Sequence, residues 1–418
     1  MTGRRIIDVA YGEGWDSGRG AVLGPIGASV AAARDAAGLP YAVVLRQASA
    51  PGLIVAHVAW ENHYLGLWVY DAQGRRFLEM DLRRLDADRL FLLHQRGWAY
   101  ATDEMPEFAS DAGRVTIALR PDGRGTQIVE SKGDKGGSLQ TTAEVPEERR
   151  WFSVPAFGEW QGLLAELGFP DADGCELREV TETGEGEPAE PNWPVPRGMR
   201  PRHLDELFTA GTRFTTDEVY TVWDPVEAGK LHLPSGRLVA RDPTYGSCEE
   251  DAGFTVSVTP GSYPVQLASA GYTAEYGGRT LVIDEYTAVR VLISERPTVS
   301  WEPALLDGQD ERLLRDGEFY GFGVDSGTCS FADATMAGEL AGRFRDGPAA
   351  DVRKDGDTGV SIVDDPVTGT NLIACPSGRG DGSYPVWVGR DTAGEVTCFV
   401  ADMLVLHGAT LAGSTRTS

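Results

Sequence analysis

With 418 residues, 41% of them hydrophobic and 10 of them Trp, the chain is long enough to bury more than one core, and its length sets a prior of two or three domains. The formal net charge of −25 weighs against sequence-independent binding to nucleic acid or anionic lipid, both of which depend on clustered Lys and Arg. The charge is uneven, with 19 basic and 26 acidic residues in 1–180 but 17 and 33 in 202–418, so the second half is the acidic one.

The chain opens on glycine-rich sequence, and Ile26 to Ala37 then reads as a short alanine-rich helix ended by Gly38-Leu39-Pro40. Strand signals follow: Tyr41 to Gln47, Leu53 to Trp60 and Tyr64 to Tyr70, with Asp71-Ala72-Gln73-Gly74 turning into Arg76 to Met80. A meander continues through Gly97 to Tyr100 and Val115 to Leu119, and Pro121 to Gly125 turns into Thr126 to Glu130. Phe157 to Leu167 carries Trp160, Leu163, Leu164 and Leu167 at helical spacing and closes this segment. Thr181 to Pro201, TETGEGEPAEPNWPVPRGMRP, is rich in Glu and Pro and reads as a linker. The last stretch, Gly408 to Ser418, is small and polar enough to fray.

The expected division is therefore 1–180, an acidic linker over 181–201, and 202–418. Gly-Ser-Tyr-Pro-Val occurs twice in the last part, at Gly261–Val265 and Gly382–Val386. Upstream of each copy a strand reaches an aspartate, Asp242 and Asp325, and the extra length in the second copy fits an exposed helix plus loop over Ala337 to Gly369. Around the second copy, Asn371 to Leu406 reads as strand, glycine-rich loop, strand, turn, strand. The fold class expected is α+β: an N-terminal domain on an antiparallel sheet, then a mainly-β domain, sandwich or barrel, built from two related units.

Leu233-Pro234-Ser235-Gly236-Arg237-Leu238, Pro260 to Val265, Gly323 to Thr328 and Gly378 to Gly382 together resemble the uncharacterised bacterial domain-of-unknown-function family 4241. The resemblance covers about the last half of the chain and implies no activity that can be transferred. Residues 1–180 resemble no family.

Two strings invite chemistry. Val324-Asp325-Ser326-Gly327-Thr328 resembles the active-site string of aspartic proteases, in which one carboxylate of a proton-sharing pair is positioned by a hydroxyl and a glycine amide. The corresponding stretch of the other copy, Asp242-Pro243-Thr244, has no glycine and leaves the second carboxylate unidentified. Asp16-Ser17-Gly18 shows how readily such a string arises in a chain with 52 Gly, and the plainer reading is a β-turn in which Asp325 caps neighbouring amides. The second string is the loop at Arg379, Gly380, Asp381, Gly382, Ser383 and Tyr384, whose glycine amides and guanidinium suit a ligand, with Arg390 further along; the plainer reading is a hairpin loop. Trp301-Glu302 is a weaker pair, read first as a surface Glu beside a core Trp.

Cys175, Cys248, Cys329, Cys375 and Cys398 are odd in number with no C-x-x-C spacing, as expected of reduced core thiols, and His407 is the one His near the last of them. His57, His63 and His94 read as structural, and six scattered His make a metal site improbable. No apolar h-region opens the chain and no run approaches the ~18 apolar residues of a membrane span, so the cytoplasm is the expected location. The function expected is that of a binding or interaction protein, toxin-neutralising or defence-related, meeting a basic protein partner or a small anionic ligand. The alternative is a hydrolase centred on Asp325.

Overall fold

A computed structural model describes residues 6–47, 52–132, 136–169, 174–181, 193, 195–245 and 252–412. Linker residues 182–192 and 194, Cys248 and the tail 413–418 lie outside them. The chain divides into two compact, mostly β units: Met1–Gly198 with Arg312–Gly317, and Met199–Glu311 with Glu318–Ser418. Among the described residues no helix is long and apolar enough to cross a membrane.

The first unit is a single sheet of twelve strands: β1 (Ile6–Asp16), β2 (Ala21–Ile26), β3 (Tyr41–Gln47), β4 (Leu53–Ala59), β5 (Tyr64–Tyr70), β6 (Arg76–Arg84), β7 (Arg89–Ala99), β8 (Gly113–Leu119), β9 (Arg124–Ser131), β10 (Gly137–Glu144), β11 (Trp151–Ser153) and β12 (Glu176–Glu179). Its order is β10-β9-β8-β7-β6-β5-β4-β3-β1-β12, with β2 on β1 and β11 on β7. From β3 to β10 each strand pairs antiparallel with the next; β12 joins β1 in parallel.

The continuous apolar run Tyr41 to Leu45 is buried on both faces. Val43 and Leu45 enter one cluster with Tyr11, Ala56 and Leu67, while Val44 enters another with Trp15, Val55 and Tyr70. Helix α1 (Ala28–Ala36) presses Ala31 onto the first cluster, and α2 (Trp160–Glu166) adds Trp160, Leu163 and Leu164. Their i, i+3, i+4 spacing is what gives so short a helix a buried face, each large side chain contributing roughly 1.5–3 kcal/mol on leaving water.

Two pieces outside the sheet complete this unit. Trp193, 2% exposed, packs on the rings of Tyr64 and His57, so the Pro- and Glu-rich stretch has a buried anchor. Arg83, forked onto Asp81 at 2.7 and 3.0 Å, donates to the Arg312 carbonyl, and the Gly317 amide donates to Arg197 O.

The second unit holds β13 (Arg213–Thr215), β14 (Val219–Val222), β15 (Val226–Leu233), β16 (Leu238–Arg241), β17 (Gly261–Tyr276), β18 (Arg279–Leu292), β19 (Ser300–Pro303), β20 (Gly321–Val324), β21 (Thr328–Asp333), β22 (Val352–Lys354), β23 (Ser361–Asp364), β24 (Asn371–Pro376), β25 (Gly382–Arg390), β26 (Val396–Asp402) and β27 (Thr410–Leu411). One sheet runs β19-β25-β26-β18-β17-β14-β13-β27, with β15 on β17 and β20 on β25; another runs β16-β21-β24-β23-β22. Leu231, Leu233, Val265, Val289, Phe331, Trp387 and Phe399 are among the residues of their common core.

Over Ala337 to Gly369 the structure departs from an exposed helix plus loop. Helix α3 (Ala337–Asp346) buries Ala337, Leu340 and Ala341, and β22 and β23 join the five-stranded sheet. The Asp- and Gly-rich turns on either side hide a four-residue strand, Ser361-Ile362-Val363-Asp364, too short to register as a period.

Candidate functional site

Turns and strand ends bring the two candidate strings together. Chain reversal at Asp325–Gly327 joins β20 to β21, and β20 pairs with β25 so that Val324 lies opposite Gly382 and Phe322 opposite Tyr384. The Gly327 amide donates to Asp381 Oδ1 (3.1 Å), and the Ser377 amide to Gly327 O (3.1 Å).

At the centre of this junction stands Asp242, 1% exposed, at the end of β16. Its Oδ2 accepts the amides of Asp325 (2.9 Å) and Ser326 (2.8 Å); its Oδ1 accepts the Ser326 hydroxyl (2.9 Å) and the amides of Thr244 (2.7 Å) and Tyr245 (3.0 Å). Burial would raise the pKa of this carboxyl, but the amides of Tyr245, Thr244 and Asp325 outweigh it and hold it below the usual value. The capping group is thus Asp242 and not Asp325, whose side chain is exposed while its amide is capped. The buried carboxylate meets the donors of its own turn, at Thr244 and Tyr245, and those of the Asp325–Ser326 turn across the β16–β21 pair.

Asp333 performs the same task one strand away. It accepts the Ser235 amide (2.9 Å) and hydroxyl (2.8 Å), and the Thr335 amide (2.9 Å) and hydroxyl (2.6 Å). A Ser-Gly followed by Asp seven residues after the Ser, and Thr two beyond that, occurs at Ser235-Gly236…Asp242…Thr244 and at Ser326-Gly327…Asp333…Thr335; that spacing is the signal the reading by motif passed over.

The Arg379 loop is braced from within. Gly380 N donates to Ser377 O (2.8 Å), Ser377 Oγ to Gly380 O (2.9 Å), and the Tyr384 hydroxyl reaches Gly380 O (2.8 Å) and Ser377 O (3.2 Å). Gly378 has φ +48°, and a Cβ there would lie 2.8 Å from Met403 Cβ and 3.1 Å from Tyr286 O, so the close approach that demands glycine is to the protein itself. Arg379 donates to Glu285 (3.2 and 3.5 Å), which also accepts the Tyr220 hydroxyl (2.9 Å), and this pairing raises the pKa of the guanidinium. Ser383 is exposed. Arg390 lies at the far end of β25, about 26 Å along the strand from Gly382, where it donates to Glu302 (2.5 Å) and to Gly394 O (2.8 Å).

Elsewhere, Cys329 and Cys375 face each other across β21 and β24, and burial pushes the Cys329 thiol up to about 12 and Cys375 upward as well, far from a thiolate at neutral pH. His407 Nδ1 approaches Asp402 Oδ2 (3.5 Å), whereas Cys398 meets Thr397 and Thr298. His57 is fully buried between Trp68 and Trp193, and burial, with Arg76 nearby, lowers its pKa. Among the described residues no three His, Cys, Asp or Glu side chains are gathered to hold a metal.

A face that the motifs did not announce lies on the β14–β17–β18 ribbon. Thr221, Gly271 and Asp284 are cross-strand neighbours, Thr273 pairs with Val282 and Glu275 with Thr280, which sets these side chains on one side of the ribbon. On it Trp223 is 40% and Val282 59% exposed, with Trp223 Nε1 donating to Asp284 Oδ1 (2.8 Å). The signal was available in the strand lengths: 16 and 14 residues in β17 and β18 overrun the four-residue β14 beside them.

No curated protein and no solved structure matches the chain. Residues 231–401, which carry both Ser-Gly…Asp turns and the Arg379 loop, match the family described as Protein of unknown function (DUF4241), and the C-terminal half accordingly resembles that family.

Proposed function

We propose that the protein is a cytoplasmic binding protein whose acidic second unit docks a basic protein, as a toxin-neutralising protein would. The observation that carries this is the exposed face of the β14–β17–β18 ribbon. Trp223 and Val282 offer the kind of aromatic and aliphatic anchor on which binding energy concentrates, and Glu275 and Asp284 flank them. Residues 202–418 carry 17 basic and 33 acidic side chains, so a cationic partner is favoured on approach. By contrast Asp325 is exposed, and of the two carboxylates that meet its turn Asp242 is occupied by five donors and Asp381 is exposed and takes the Gly327 amide, which favours binding over hydrolysis at this place. Affinity capture from the native host with the wild type and with Trp223→Ala/Val282→Asp, read by mass spectrometry, tests the reading. It stands if a basic protein is captured, weakens with salt, and is lost from the folded double variant; it fails if the variant captures the same protein equally well.

We also infer that the second unit is an internal duplication, with equivalences that differ from those read by motif. Asp242 corresponds to Asp333, and Asp325 to Pro234. Support comes from matching registers: Leu233 pairs with Gly261 and Leu231 with Tyr263, as Val324 pairs with Gly382 and Phe322 with Tyr384. Val258 N donates to Gly236 O as Ser377 N does to Gly327 O, and the Tyr263 hydroxyl donates to Thr259 O as Tyr384 does to Gly380 O. The antiparallel pairs β16 with β21 and β18 with β26 would join the copies about a two-fold axis. If so, Ser235→Ala and Ser326→Ala should destabilise the unit by similar amounts, about 1–2 kcal/mol each; a much larger loss at one than the other argues against equivalence.

A further inference from the structure

On the side of the first sheet away from the Met80–Leu92–Leu119 core lies a cleft of about 520 Å³ over β6 to β9. Its floor is set by register. Glu79 stands opposite Arg96, Trp98 opposite Arg114, and Arg114 opposite Glu130, so these side chains share the outer face while the alternate residues enter the core.

The loop between β7 and β8 forms the wall, and it is held in place by buried chemistry. Arg75, 9% exposed, donates to the carbonyls of Thr102 (2.8 Å), Asp103 (3.3 Å) and Met105 (2.7 Å) and lies over the Tyr100 ring at 4.3 Å. The Tyr100 hydroxyl donates to Arg76 O (2.7 Å) and accepts the Phe108 amide (3.3 Å), and Glu107 accepts the Arg76 amide (2.8 Å). What this scaffold holds is Phe108, in a left-handed conformation (φ +56°) that bulky residues avoid, with its ring 4.7 Å from that of Trp98 and 41% exposed. A strained backbone that keeps an aromatic ring half in water is unrewarded by folding alone.

The charges tip the opposite way to the chain's: Arg76, Arg96, Arg114 and Lys132 stand against Glu79 in the lining and Glu107 and Glu130 beside it, in a protein of net charge −25. Arg76 takes Glu79 at 2.8 Å and lies between the rings of Trp68 and Phe108. Arg114 meets Glu130 through Nε, Lys132 is 3.9 Å from Glu130, and Arg96 approaches Glu79 only at 4.0 Å. Arg76 and Arg114 are thus closely paired, while Arg96 and Lys132 stand 4.0 and 3.9 Å from their carboxylates and are left to meet an anion beside the aromatic pair, in a concavity of the kind that concentrates anions.

We propose that this cleft binds a small polyanion carrying a planar ring, with the chemistry of a nucleoside phosphate: the ring lies against Trp98 and Phe108, and the phosphates meet Arg96, Arg114 and Lys132. The site is separate from the protein-docking face and stands or falls without it. The full chain is titrated with ADP, GDP, adenosine and inorganic pyrophosphate, followed by tryptophan fluorescence and calorimetry. A nucleoside diphosphate binds saturably below millimolar concentration, and adenosine and pyrophosphate bind weaker by about ten-fold or more. Arg96→Ala/Arg114→Ala and Trp98→Leu each weaken binding by about ten-fold or more with circular dichroism and Tm unchanged, while Arg19→Ala has no effect. The proposal is overturned if neither nucleotide binds the wild type at several millimolar, if binding survives the Arg96→Ala/Arg114→Ala variant, or if pyrophosphate binds as tightly as ADP.

Discussion

Replacing Asp242 by Asn changes almost no volume, yet it removes an acceptor from a carboxylate that takes two amides on Oδ2 and two amides and a hydroxyl on Oδ1. Whichever way the amide turns, its NH2 faces two backbone N–H groups. A buried donor without a partner costs about 1–3 kcal/mol, so after local relaxation Asp242→Asn should destabilise the second unit by about 2–4 kcal/mol, and Asp242→Ala by rather more. The assay is urea denaturation of the full chain read by pulse proteolysis, with mass spectrometric detection of peptides from 231–401. The carboxyl is held below its ordinary value, 3.8, so its contribution is fully present above that pH and is lost as pH falls through and below it; the Asn variant should lack this acid-linked slope. An Asp242→Asn midpoint within about 0.5 kcal/mol of wild type would refute the reasoning, because a capped turn on the surface would lose no more than that.

The Arg379 loop should separate packing from charge: Gly378→Ala, with its Cβ against Met403, loses about 2–4 kcal/mol by denaturant titration, whereas Arg379→Ala, whose ion pair is 64% exposed on the arginine side, loses under about 1 kcal/mol. In the first unit, His57 stays neutral while the unfolded chain takes up a proton below pH 6.5. Stability should therefore fall as pH drops below that value, by up to about 1.4 kcal/mol per unit, and His57→Phe should abolish the slope between pH 7.5 and 5 in urea titrations. Limited proteolysis with a Glu-specific protease should nick the Glu-rich stretch before Trp193 first; because Arg312–Gly317 belongs to the first unit, the two fragments should co-migrate on a native gel and part only in denaturant. First cleavage elsewhere, with that stretch intact, would contradict the linker.

Strands were legible where local pattern and turn chemistry agreed. Tyr41 to Gln47 and Tyr64 to Tyr70 coincide with β3 and β5 to the residue, and Asp71 and Asp391 cap the turns that their sequences announce. Asn371 to Leu406 folds as strand, loop, strand, turn, strand. What stayed hidden was long-range. That Asp242 would reach Ser326, 84 residues away, depends on β16 pairing with β21, and no local window contains both. The Gly-Ser-Tyr-Pro-Val repeat exposed a likeness between two stretches; the equivalence we infer pairs Asp242 with Asp333 through the Ser-to-Asp spacing of seven residues, where the motif pointed to Asp325. The cleft under Phe108 was illegible for the same reason, since its cations come from separate strands and the loop that walls it has no motif.

Hydrogen–deuterium exchange of the full chain, alone and with a basic protein recovered by affinity capture, tests the docking proposal most directly. The account predicts added protection in peptides covering 219–224 and 272–285, diminishing as salt is raised. Protection confined instead to 325–328 and 377–384, with the ribbon unchanged, would contradict it and move the site to the Asp325 turn.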